Sequence, residues 1–281
     1  MIVVTGATGN IGRQLVGLLA EAGEQVRAVS RGATPVDLPA GVEHVVADLG
    51  DLDSLSPALQ GADALFLLIT GEQLMTGPEP ADLLKAASAA GIRRVVFVSS
   101  QGAVTRPDSA GYARTIAFEL ALAESDLAWT ALRPGAFFSN TYAWIEPVRT
   151  ARTVAAPFGD VGLPAVDPGD IAAVAAVALR EDGHAGRAYT LTGPAVVTPR
   201  DQAAALAVAI DDPIGFVELT AEQAKENMLR FMPAAVADHT LTILGTPTAA
   251  EQQVSGDIER VLGRPATAYA EWALGQRAMF R

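Results

Sequence analysis

Gly6-Ala7-Thr8-Gly9-Asn10-Ile11-Gly12 sets three glycines three residues apart, between an apolar run and an amphipathic stretch. Gly6 suits a tight turn out of a strand. Gly9 lets backbone approach a pyrophosphate without a Cβ in the way, and Gly12 lets the following helix lie close to the sheet. N–H groups at such a helix start, with the dipole behind them, face an anion. The strand before and the helix after distinguish this run from a plain glycine-rich turn. Gly6, Thr8, Gly9, Asn10, Ile11 and Gly12 are therefore expected to hold the phosphates of a dinucleotide.

The next apolar run ends Ala28-Val29-Ser30-Arg31-Gly32. A site for NADH needs a carboxylate here to bind the ribose 2′-OH. None is present. Arg31 instead offers a planar, bidentate partner for a 2′-phosphate and Ser30 a hydroxyl, so NADPH is expected in preference to NADH. Asp48 can accept from the adenine amino group with Leu49 on the ring, although a helix-capping aspartate fits the same position. Thr70, after the fourth strand, is expected near the adenine ribose or the pyrophosphate. Ser99 and Ser100, after the fifth, either touch nicotinamide or substrate or cap the strand end. Pro134 and Phe137, after the sixth, are expected to flank the nicotinamide.

Carbonyl reduction on such a frame commonly uses Tyr-x-x-x-Lys, in which the lysine lowers the phenol's pKa. The chain has two lysines, Lys85 and Lys225, and the fourth residue after Tyr112 is Ile116. An unassisted phenol titrates near about 10 and is a poor acid–base group at neutral pH. Tyr112 and Ser99 are the catalytic candidates. Hydride transfer to a strongly electrophilic acceptor, which needs little proton assistance, remains open. Phe137, Phe138, Tyr142 and Trp144 suit the wall of a site for a flat apolar molecule, or a core joining two lobes. Asn140 orients a polar group or caps a helix. There is no cysteine, and the three histidines lack metal-ligand spacing, so no metal is expected.

These residues need a frame. Apolar runs at 1–5, 25–29, 42–46, 63–69, 93–98 and 127–132 alternate with helical patterns at 10–22, 51–59, 79–90 and 109–125. Two-sided apolar strands in strict alternation with helices predict an α/β fold, a doubly wound parallel Rossmann sheet with helices on both faces. Past Pro134 the pattern loosens into short strands (153–156, 188–191, 215–218) and helices (169–179, 200–210, 221–232, 249–262, 267–279). Residues 1–134 read as the nucleotide-binding core. Residues 135–281 read as a smaller helix-rich substrate lobe, interleaved with the core rather than folding independently. The net charge of -12 and pI near 4.7 argue against direct nucleic-acid or membrane partners. The lack of a leader pattern or long apolar run predicts a cytoplasmic protein. A homo-oligomer is compatible with helices that read alike whether packed within one subunit or between two.

The glycine loop, Ser99-Ser100, the stretch 127–140 ending Leu132-Arg133-Pro134-Gly135-Ala136-Phe137-Phe138-Ser139-Asn140, Asp167-Pro168-Gly169-Asp170, Tyr189-Thr190-Leu191-Thr192-Gly193 and Gly263-Arg264-Pro265 together resemble the NmrA-like branch of the atypical short-chain dehydrogenases/reductases. Aligned on that family's helix glutamate, Glu119, the tyrosine and lysine places fall on Gly111 and Thr115, again without a lysine. The resemblance implies an NAD(P)H-dependent reductase of quinones or related conjugated acceptors. It equally implies a catalytically weak NADP(H)-binding redox sensor that acts through a protein partner. A lyase or isomerase using the cofactor only for structure is a third class.

Overall fold

The structure, a computed structural model, describes residues 1–32 and 38–281. Its strands are β1 (Ile2–Thr5), β2 (Val26–Ser30), β3 (Glu43–Val46), β4 (Ala64–Leu68), β5 (Arg94–Val98), β6 (Ala128–Pro134), β7 (Thr153–Pro157), β8 (Arg187–Leu191) and β9 (Gly215–Leu219). The helices are α1 (Gly12–Glu21), α2 (Leu52–Leu59), α3 (Pro80–Ala89), α4 (Gly102–Thr105), α5 (Ala113–Ala123) and α6 (Ile145–Ala151). They continue as α7 (Pro168–Arg180), α8 (Pro199–Ile210), α9 (Ala221–Met228), α10 (Ala234–Gly245), α11 (Asp257–Leu262) and α12 (Tyr269–Phe280).

The chain divides into two compact units. The first, Met1–Pro134 with Pro168–Leu191 and Asp257–Arg264, contains a seven-stranded sheet in the order β3-β2-β1-β4-β5-β6-β8, parallel at every pairing. Side chains alternate across it, as strand geometry requires. Leu65, Leu67, Val95 and Phe97 join Leu55, Leu83, Leu84, Phe118 and Leu122 of α2, α3 and α5 in one core. Phe66 and Val96, one residue out of step, are buried outside that cluster. The strand order reverses between β1 and β4, and a ligand crevice in an open parallel sheet lies outside the carboxyl ends at such a point.

The second unit, Gly135–Asp167 with Thr192–Gly256 and Pro265–Arg281, is helix-rich around the parallel pair β7-β9. Its core includes Phe138, Val148, Val154, Leu206, Ile210, Tyr269, Trp272 and Phe280. The division at residue 134 thus marks only the chain's first exit from the sheet unit. Residues 168–191 and 257–264, assigned by sequence to the second lobe, belong to the first. There α7 packs on α1, and β8 extends the sheet beside β6.

Several elements depart from sequence expectation. The helix at 249–262 is reduced to α11. Thr248 N donates to the Glu251 carboxylate (2.7 Å), Gln252 Nε2 to Gly162 O (3.0 Å) and Ser255 N to Thr192 Oγ1 (2.9 Å). The Thr248–Glu251 pair closes a single turn, and the side-chain bonds of Gln252 and Ser255 N hold the residues that follow outside a helix. The helix at 109–125 begins as a 3-10 turn, Ala110–Tyr112, before α5. On α1, Leu15, Val16 and Leu19 face inward while Leu18 is 37% exposed. No described helix is long and apolar enough to cross a membrane, and the described residues contain no metal-binding cluster.

Candidate functional site

The turn out of β1 is built on two glycines. Gly6 has φ +62°, a left-handed conformation that side chains resist. A Cβ on Gly12 would lie 2.2 Å from Gly6 O and 2.8 Å from Ala7 Cα. Gly12 is thus required by its own loop backbone rather than by helix–sheet packing, as the sequence had suggested. Thr5 closes the strand: its Oγ1 donates to Phe66 O (3.0 Å) and accepts from Leu68 N (2.9 Å), fixing β1 to β4 at the crevice. Thr8, Gly9 and Asn10 are exposed. Helix α1 has neither a side-chain cap nor an acid in its first turn, so its positive end is not neutralised.

Beside this turn lies a cleft of about 250 Å³, bordered by Thr5, Gly6, Thr8 and Gly9, by Val29, Ser30 and Arg31, by Ala47 and Leu49, and by Leu68, Thr70 and Gln73. Seven residues expected to touch cofactor meet here: Gly6, Thr8, Gly9, Ser30, Arg31, Leu49 and Thr70. Ile11 and Gly12 are buried beneath the turn and do not border the cleft. Arg31 is exposed, and no carboxylate pairs with it among the described residues. Ser30 is buried; its Oγ donates to Gly32 O (3.1 Å) and lies 2.8 Å from His44 Nε2.

Asp48 does not cap α2; Asp51 does, accepting from Asp53 N at 3.0 Å. The Asp48 carboxylate accepts instead from Gly50 N (2.8 Å) and from Gln73 Nε2 (3.0 Å). Sequence reasoning missed Gln73. Its signal was Thr70-x-x-Gln73, a capping-box spacing that here closes a 3-10 turn over Gly71–Leu74. Arg114 of α5 anchors that segment, donating from Nε to Gln73 O (2.8 Å) and from a terminal nitrogen to Pro78 O (2.6 Å).

At the ends of β5 and β6, Ser99 N donates to Leu132 O (2.7 Å) and Gln101 N to Pro134 O (2.9 Å). The Ser99 hydroxyl donates to Glu119, whose carboxylate also receives Arg133 Nε (3.0 Å) and a second Arg133 nitrogen (2.5 Å). The Ser99 proton is thus directed at Glu119, leaving the oxygen's lone pairs as what Ser99 can offer a ligand. Ser100 Oγ accepts from Gly102 N (3.1 Å), leaving its own proton to donate. The hydroxyl end of the Tyr112 ring packs against Gly102, where a Cβ would lie 2.0 Å from Cζ and 2.3 Å from the hydroxyl oxygen. Tyr112 thus stands beside the end of β5, although it precedes α5 and is not on the helix that carries Ile116.

The proposed substrate wall separates into parts. Phe138 is fully buried in the second unit's core, edge-on to Tyr269 at 5.0 Å, so it is a packing residue and not a wall. Tyr142 and Trp144 are half-buried against the same core. Burial, with the Asp167 carboxylate adding to it, pushes the Tyr142 phenol up, and its hydroxyl donates to Gln276 (3.3 Å). Phe137 is half-buried and pairs with Val166, and Asn140 is exposed.

The family model described as NAD(P)H-binding matches residues 6–182. A (4-alkanoyl-5-oxo-2,5-dihydrofuran-3-yl)methyl phosphate reductase of Streptomyces griseus is 38% identical over 277 residues, covering 97% of this chain and 96% of that one. An NAD(P)H azoreductase of Xenophilus azovorans is 35% identical, covering 100% of this chain and 99% of its own length. The crystal structure of an NADPH-dependent quinone oxidoreductase of Escherichia coli, complexed with NADPH, superposes with a TM-score of 0.78 at 27% identity, covering 97% of this chain and 98% of that one. The chain belongs to the NAD(P)H-binding, NmrA-like family of atypical short-chain dehydrogenases/reductases.

Proposed function

We propose that this protein is an NADPH-dependent oxidoreductase that passes hydride to a small, flat, conjugated acceptor of the quinone or enone type. The observation that carries the reading is the cleft joining the glycine turn to Ser30 and Arg31, with no carboxylate at the end of β2. That cradle fits the adenosine and phosphate half of a dinucleotide: the α1 end would receive the pyrophosphate, Leu49 would cover the adenine and Arg31 would take the 2′-phosphate. Three relatives support the acceptor class by name: one reduces a dihydrofuranone phosphate, one is an azoreductase and one a quinone oxidoreductase. Each substrate name contains an electrophilic conjugated double bond.

When bound, reduced nicotinamide supplies the hydride. The chain's own contribution is positional, which can be worth about 7–11 kcal/mol. Ser100 and Tyr112 orient polar atoms at the end of β5. Neither has a lysine beside it, so the acceptor's own electrophilicity, with water or Ser100 as proton source, must suffice.

The test is NADPH oxidation by purified protein against a panel of quinones, azo compounds and dihydrofuranone enones, with calorimetric affinities for NADPH and NADH. Turnover above buffer is expected with at least one class. Tighter binding of NADPH than NADH should fall by about 10- to 100-fold in Arg31→Ala, the worth of one or two charge-assisted hydrogen bonds. Cofactor binding with no turnover on any acceptor would refute the enzyme reading. It would favour the redox sensor acting through a protein partner, which the missing lysine also fits.

A further inference from the structure

We infer that His44 is a positioning residue for cofactor choice: through the Ser30 hydroxyl it prepares the pocket for a 2′-phosphate, and thereby raises affinity for NADPH and not for NADH. The inference rests on the NADPH reading above.

His44 lies on β3, outside the cleft lining. In the parallel register His44 pairs with Ala28 and Val46 with Ser30. His44 and Ser30 therefore project from the same face of adjacent strands, two residues apart along them. Nε2 reaches Ser30 Oγ at 2.8 Å, and Oγ also lies 3.1 Å from Gly32 O. A serine hydroxyl has one proton and two lone pairs. A carbonyl oxygen only accepts, so the Ser30 proton goes to Gly32. With that proton on Gly32 O, the bond to the imidazole runs the other way, from the Nε2–H tautomer into Oγ.

That arrangement holds Oγ in place while leaving its proton on the longer bond. A phosphate oxygen beside Arg31 is a stronger acceptor than Gly32 O and draws the proton by a simple rotation about the C–O bond. The Nε2–H bond into Oγ persists and polarises the O–H, strengthening what it donates. The 2′-OH of NADH is neutral and makes no such demand. The sequence signal was slight, since His44 sits on an edge strand with no motif around it.

The experiment measures calorimetric Kd values for NADPH and NADH in the wild type, Arg31→Ala, Ser30→Ala, His44→Phe, His44→Gln and the double variant Ser30→Ala/His44→Phe. His44→Phe should weaken NADPH binding about tenfold, with NADH affinity held within about twofold. His44→Gln, whose amide nitrogen reaches the Nε2 position, should restore NADPH binding. In the Ser30→Ala background His44→Phe should add nothing, because the effect runs through Oγ. If Arg31→Ala abolishes the NADPH preference while His44→Phe changes both cofactors equally or neither, the inference is overturned and the NADPH reading stands. If Arg31→Ala leaves the preference intact, the NADPH reading fails and this inference with it.

Discussion

Replacing Gly12 by alanine tests the construction of the phosphate turn, and α1 supplies its own control. The added Cβ would stand 2.2 Å from Gly6 O and 2.7 Å from Gly6 C, whereas real Cβ contacts stay beyond 3.0 Å. The turn or the helix must therefore move by about 0.8 Å, and since the clashing atoms are backbone no rotamer change relieves it. Overpacking of this kind costs about 1–3 kcal/mol, or roughly 2–5 °C in Tm at this size. Moving the turn also shifts Thr8 at the cleft and breaks the bond from Gly9 N to Gly6 O (2.9 Å) that holds the turn closed. Losing one or two charge-assisted bonds weakens NADPH by about 10- to 100-fold. Gly17 sits on the same helix with nothing within 4 Å of its Cβ. Gly17→Ala should stabilise by up to about 1 kcal/mol through helix propensity, with cofactor affinity unchanged. Differential scanning calorimetry and titration calorimetry read both quantities. Wild-type melting and wild-type NADPH affinity in Gly12→Ala would refute the reasoning, as would equal damage in Gly17→Ala.

Two further outcomes follow from named contacts. Arg114→Ala releases Gln73 O and Pro78 O, so amide hydrogen exchange across residues 71–79 should accelerate, with cofactor Kd rising about tenfold and kcat holding. An unchanged exchange rate would mean that Arg114 does not anchor the segment. Burial pushes the Tyr269 phenol far above its ordinary value, partly offset by its hydrogen bond to Thr141 Oγ1 (3.0 Å). With the folded-state pKa raised, the phenol's contribution to stability is complete below about pH 10, where an unfolded tyrosine ionises, and is lost as pH rises beyond it. Tyr269→Phe should flatten the alkaline fall in stability measured by urea unfolding between pH 9 and 11, at a cost of about 1 kcal/mol at neutral pH. An identical alkaline slope in both proteins would show that other groups cause it.

The sequence by itself determined the first six strands of the sheet, the glycine turn and the meeting of that turn with Ser30 and Arg31 at one cleft. Gly6, Gly9 and Gly12, the alternation of apolar strands with amphipathic helices, and Ser30-Arg31 after β2 are signals carried within a few residues by backbone sterics and periodicity. The scarcity of lysine near Tyr112 is likewise a fact of composition. What only the tertiary structure decided concerns partners far apart in the chain. Asp48 turned out to bind Gln73, 25 residues on, while Asp51 took the cap. Ser99 directs its proton to Glu119, 20 residues away, whereas Ser100 Oγ accepts from Gly102 N and keeps its own. Phe138, which reads as readily as a substrate wall, became core because Tyr269 and Trp272 arrive from the far end of the chain. The return of residues 168–191 and 257–264 to the sheet unit has the same cause. Local sequence fixes φ, turn and period. Which side chain answers which is set by topology, because a hydrogen bond or ring contact depends on separation in space, and separation along the chain does not encode it.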